Sequence, residues 1–168
     1  MIVQLSTAEV QMCALVAVQR WAMKFDSEDR PNYAQGKAAG KLEHDLLADV
    51  RSLVAEWAYA KHYNVTWNFP LWPNELHPAR KNLPDVGFSG EVRTIRTSSG
   101  IPFWEKDRGK MICGARIVDE RTFREVEVFK RFSAQLYMLD EYADPSINGW
   151  RMPIERLPLL PTETTHHV

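Results

Sequence analysis

The sequence predicts a mixed fold, α/β or α+β, in which helices flank a central mixed β-sheet. Three observations carry this. Apolar residues recur at helical spacing up to about His62. Short runs rich in β-branched and aromatic residues follow. Prolines and glycines separate those runs. The 168 residues suffice for one domain with its own core, and 45% apolar with 26% charged residues is ordinary for a soluble globular chain. We expect a single domain over residues 1–160, an N-terminal helix over 6–25 and a flexible tail over 161–168.

Each element has its own signal. Ser6 and Glu9 have capping-box spacing, and Val10, Cys13, Ala14, Ala17 and Trp21 form one stripe of a helix ending near Phe25. A second helix runs from Lys37 to about His62, with Leu42, Leu46, Val50, Leu53, Trp57 and Ala60 on its buried stripe. Glu56 sits beside that stripe, not on the opposite solvent face. "YNVTWNF" reads as a strand and the proline-rich "PLWPNELHPARKNLP" as irregular. β-like runs follow at Asp85 to Phe88, Glu91 to Thr97, Met111 to Val118 and Arg124 to Phe132. Ser133 to Tyr142 suits a short helix, and the alternation of Trp150, Met152 and Ile154 suits a last strand.

Composition excludes several classes. A formal net charge of -1 is not that of a generally basic nucleic-acid coat, though it leaves room for a local basic patch. Cys13 and Cys113 match neither a disulfide framework nor a zinc knuckle and read as small core residues of a reducing cytosol. The N-terminus lacks signal-peptide character, and no window approaches the roughly 20 apolar residues that a membrane span needs. The sequence also lacks a Gly-rich phosphate loop, a G-x-S-x-G elbow and an H-E-x-x-H pair.

The chemistry concentrates in "LPDVGFSGEVRTIR", residues 83–96. Glu91 and Arg93 are two apart and share a strand face. "VGFSG" holds two glycines, so a tight turn can return Asp85 to Glu91. Two adjacent carboxylates repel unless a cation lies between them, and such oxygen ligands suit Mg²⁺ or Mn²⁺. The bland alternative is a hairpin with charged edges that discourage strand-to-strand association. Arg96, Lys106, Arg108 and Lys110 follow closely around Phe103 and Trp104, as a phosphate-tracking, base-stacking surface would require.

This cluster resembles the PD-(D/E)xK nuclease superfamily. Pro84 and Asp85 match its first acidic motif, and "EVR" from Glu91 to Arg93 matches its second, with arginine where lysine is usual. "VAEWAYAKHYNVTWN" is similar to the helix that carries a further acid in many members, here Glu56. Trp150, Pro153 and Leu157 fit the closing strand of small phage-encoded members. The resemblance implies a restriction-endonuclease-like core running helix, three strands, helix, strand. It implies that Asp85, Glu91 and the Val92 carbonyl hold the metal, that Glu56 adds a ligand directly or through water, and that Arg93 takes the lysine's place. Between Thr97 and Met111 the chain is too short for a good crossover helix, which puts the strand order in doubt.

The resemblance implies a Mg²⁺- or Mn²⁺-dependent nuclease acting on nucleic acid, DNA more than RNA, in the cytoplasm (a bacterial host's, if the chain is phage-encoded). Arg93 cannot act as a base, so the alternative is a weak or inactive nuclease scaffold that serves as a binding module. A host protein partner and a homodimer both stay open.

Overall fold

Glu9 ties the N-terminal helices together. The structure, a computed structural model, describes residues 1–23, 42–68, 83–96 and 100–159. Helix α1 spans Thr7–Met23 and α2 spans Leu42–Tyr63. The capping box forms as its spacing predicts: Ser6 N–H donates to Glu9 Oε2 at 2.6 Å, and Glu9 N–H to Ser6 Oγ at 3.2 Å. Glu9 also accepts from Trp57 Nε1 at 3.0 Å and from Lys61 Nζ at 3.0 Å, both on α2. Burial opposes its charge, but the Ser6 N–H and these donors outweigh that and pull its pKa down to about 2. The predicted start of the second helix at Lys37 and the end of the first at Phe25 lie outside the described residues.

Five strands make the first sheet. β1 (Ile2–Gln4) pairs antiparallel with β5 (Glu125–Val128), and β5 antiparallel with β4 (Met111–Ile117). β4 also pairs antiparallel with β6 (Phe132–Ser133) and parallel with β2 (Gly90–Thr94). β3 (Ile101–Phe103), β8 (Gly149–Met152) and β7 (Ala143–Asp144) form a second, antiparallel sheet. Alternation along β2 and β4 separates two cores. Val92, Cys113 and Ala115 pack against Leu53, Val54 and Tyr59 of α2. Ile95 and Ile112 pack with Ile101, Phe103, Phe132 and Met152 on the other side. Both cysteines are buried and reduced, with thiols pushed up to about 12 by that burial.

Beyond β2 the ladder continues through short extended segments. Val86 N–H donates to Gly90 O at 3.1 Å, and Gly90 N–H returns a bond to Val86 O at 3.0 Å. Val86 pairs in turn with Trp67, Gly87 N–H donates to Thr66 O, and Asn68 N–H donates to Asp85 O. The "YNVTWNF" strand is thus reduced to one bridge at Trp67, because α2 runs on to Tyr63. The chain leaves α2, makes three antiparallel passes, and crosses to β4. The crossover contains β3 and a single 3₁₀ turn, Glu105–Asp107.

Three predicted elements change. The helix over Ser133 to Tyr142 is two 3₁₀ pieces, Ala134–Tyr137 and Asp140–Tyr142, neither with a side-chain cap. Tyr137 stacks edge-on against Phe132 at 5.7 Å and against Tyr142 at 5.9 Å, and this aromatic packing replaces helical spacing. The last strand stops at Met152, since Pro153 has no N–H to extend the ladder, and Ile154–Leu159 is 3₁₀. The run from Arg124 to Phe132 divides into β5 and β6. The tail over 161–168 lies outside the described residues. No described helix is long and apolar enough to cross a membrane.

The hairpin of residues 86–90 needs both glycines. Gly87 has φ +57°, and a Cβ on Gly90 would stand 2.7 Å from Val86 Cγ2 and 2.8 Å from Val86 O. We predict that Gly90→Ala lowers unfolding free energy by about 1–3 kcal/mol in urea titrations. An unchanged midpoint would contradict the close approach.

Candidate functional site

The site grows from the alternation of β2. Met111 N–H donates to Ser89 O and Ile95 N–H to Ala115 O, so the odd-numbered backbone groups face β4. The even-numbered groups face the opposite edge, where Gly90 exchanges both bonds with Val86. Val92 is the next residue facing that way. Its N–H donates to Asp85 Oδ2 at 2.8 Å. In an extended strand a residue's N–H and C=O point to the same side, so the Val92 carbonyl opens onto the edge that Asp85 occupies. Asp85 Oδ1 takes no hydrogen bond from the described residues.

The turn brings Asp85 to Glu91, as its two glycines predict. Asp85 is half-buried; burial, then the charge of Glu91, pushes its carboxyl up to about 6, against the Val92 N–H, Arg93 and Arg20. Glu56 is 4% exposed on α2. It accepts from Trp67 Nε1 at 3.0 Å, and Trp67 leans on Trp57 with ring centroids 5.3 Å apart. Burial, then the charge of Asp85, pushes Glu56 up to about 8, with Glu91 contributing less. Glu56 belongs to the α2 side of the sheet, whereas Glu91 shares its face with Ile95 and the second core. Asp85 stands at the edge between them. Among the described residues no three of His, Cys, Asp and Glu close around one point.

Arg93 lies in ion pairs. Its guanidinium donates to Glu91 Oε2 at 3.2 Å and to Asp107 Oδ1 at 2.7 Å, and sits over the Trp104 ring at 5.5 Å. Asp107 is fully buried and also accepts the Trp104 N–H at 2.9 Å. The Lys110 ammonium pairs with Glu91 Oε1. The order Asp107, Arg93, Glu91, Lys110 therefore forms one alternating network under the turn.

The predicted basic track divides. Arg96 and Lys106 project to solvent, with Lys106 over the Trp104 ring at 5.6 Å. Arg108 is exposed but held by Glu105, and Lys110 turns toward the acids. Phe103 is core, while Trp104 donates through Nε1 to Ile147 O at 3.1 Å. Sequence reasoning missed Asp107, whose signal was only a charge in a polar loop. It also missed Arg20, whose charge acts on both Glu56 and Asp85 from a distant helix.

Asp85, Glu91, Glu56 and the Val92 carbonyl offer oxygen atoms, the donor type that hard divalent cations take. Both Glu91 oxygens are already paired, with Arg93 and Lys110, while burial and mutual repulsion raise the Glu56 and Asp85 carboxyls. Asp85, Glu91 and the Val92 carbonyl are the groups that would hold Mg²⁺ or Mn²⁺, with Glu56 behind them. Comparison of the chain with protein-family models, curated proteins and solved structures gives no match.

Glu56 sets a pH dependence of stability. Its pKa rises from 4.5 to about 8 on folding, so the folded protein binds more protons than the unfolded chain in that interval. Stability therefore falls as pH rises through it. In EDTA, Glu56→Gln should flatten the decline in urea midpoint between about pH 6.5 and 8. Equal slopes for both proteins would refute this assignment.

Proposed function

We propose that the chain is a metal-dependent nuclease of the PD-(D/E)xK type, hydrolysing phosphodiester bonds of nucleic acid, DNA more than RNA. The observation that carries this reading is the Asp85–Val92 contact at the open edge of β2, with Glu91 next along the strand. The element order lends further support. α2 precedes three passes and then a further strand, the helix–strand order that the resemblance implies; here the passes are antiparallel and the further strand parallel to the third. The implied crossover helix is replaced by β3 and one 3₁₀ turn.

In this mechanism a bound Mg²⁺ supplies a water of lowered pKa and polarises the phosphate. The protein groups do the rest. Asp85 is oriented by the Val92 N–H, so its second oxygen faces the edge. Glu91 is held between Arg93 and Lys110. Arg93, in the place of the expected lysine, positions Glu91, because Asp107 and Glu91 occupy its fork. Lys110 brings an ammonium to the acids where "EVR" offers none, and can orient an attacking water or steady developing negative charge. Glu56 reaches the site through water or through its effect on Asp85.

The engagement of Arg93 also favours a second reading, a scaffold that binds nucleic acid or protein without cutting. Incubation of purified protein with labelled DNA and RNA in Mg²⁺, Mn²⁺ or EDTA separates the two. We predict cleavage that EDTA abolishes and that Asp85→Asn reduces by at least roughly 100-fold. Lys110→Ala should slow it by roughly 100-fold or more, in the range of one lost transition-state donor. Binding without cleavage by the wild-type chain would favour the second reading, and cleavage untouched by Asp85→Asn would end the first.

A further inference from the structure

The turn that joins Asp85 to Glu91 carries a side chain the mechanism does not use. Phe88 is the middle residue of the three between Val86 and Gly90, whose mutual hydrogen bonds close the hairpin. Its relative exposure is 104%, so nothing in the fold holds it. An aromatic ring fully in water at a hairpin tip contributes no core packing.

The hairpin also walls a cleft of about 680 Å³. Tyr59, Asn64, Thr66, Phe88, Met111 and Arg131 line it, and none of Glu56, Asp85 or Glu91 does. The size is that of a small-ligand site. Its wall is mainly apolar, with Tyr59 and Phe88 as its aromatic residues and the Arg131 guanidinium as its cation. Phe88 is three residues from each acid, so its Cα lies within roughly 11 Å of theirs. A nucleotide stacked there would lie within a few positions of a phosphate at the acids.

The geometry points to a stacking site for an unpaired base, with Phe88 as the platform, the cleft as the receptacle and Arg131 on the adjoining phosphate. This rests on the nucleic-acid reading above and narrows it to single-stranded or locally unpaired substrate. In a duplex both faces of each base are covered by neighbours, whereas a single strand offers them. A phenylalanine has no polar atom, so the contact is sequence-tolerant.

The test is fluorescence anisotropy with 5′-fluorescein-labelled dT12 in EDTA, beside a labelled duplex of equal length. Wild type, Phe88→Ala and Phe88→Trp are compared, with thermal midpoints as the folding control. We expect Phe88→Ala to weaken dT12 binding by roughly five- to 150-fold, the loss of one stacked base. Phe88→Trp should retain it, duplex binding should not change, and midpoints should stay equal. Wild-type affinity in Phe88→Ala, an equal loss on the duplex, or no dT12 binding by the wild type would each overturn the proposal. Because the binding assay contains no metal, loss of cleavage alone touches the nuclease reading and loss of the Phe88 contrast alone touches this one.

Discussion

Everything at the candidate site depends on one hydrogen bond at an open strand edge, from the Val92 N–H to the Asp85 carboxylate. The edge of β2 would otherwise continue the sheet. Gly90 and Val86 use up one pair of edge groups to close the hairpin, and the next outward residue finds a carboxylate where a strand would be. That substitution ends the ladder and turns the Val92 carbonyl toward an acid. It also fixes Asp85 beside Glu91. Neither acid could be placed so reproducibly by a looser loop, because the close approach of Val86 to Gly90 admits no side chain there.

The arrangement costs stability and the rest of the fold offsets it. Burial raises both Glu56 and Asp85, and among the described residues no cation is bonded directly to either. Arg20 of α1 and the Trp67 N–H oppose the repulsion only in part. On the opposite face the charges alternate from Asp107 to Lys110 and are satisfied pairwise. One side of β2 thus holds two raised carboxyls and the other a balanced network, with Glu91 acting on both. A stability-optimised sequence would not leave carboxylates so raised, and such groups cluster at sites of chemistry. The same network reassigns the two cations nearest the acids. Arg93 becomes a strut, and Lys110 becomes the ammonium at the site.

Much of this was legible in the sequence wherever the signal was local. The capping box at Ser6 and Glu9, the stripe of α2 with Glu56 beside it, and the glycine turn all rest on spacing within a few residues. The same is true of Glu91 and Arg93 sharing a face. What spacing could not reveal was pairing across the chain. β1 is three residues long and exists because β5 receives it. Arg93 meets Asp107 across a crossover, and Lys110 was read as a phosphate contact because sequence proximity gives sign but not direction. Ser133 to Tyr142 has helical character that aromatic packing against Phe132 overrides. The side of the sheet on which each acid falls followed only from the register of β2 with β4.

The account stands on Asp85, Glu91 and the Val92 carbonyl sharing one divalent cation. Isothermal titration of the purified chain with Mn²⁺ at about pH 8, well above the Asp85 pKa of about 6, tests this most directly. One bound ion per chain is expected, with its heat lost in Asp85→Asn and in Glu91→Gln. Wild-type heats that match those of Asp85→Asn would contradict the account.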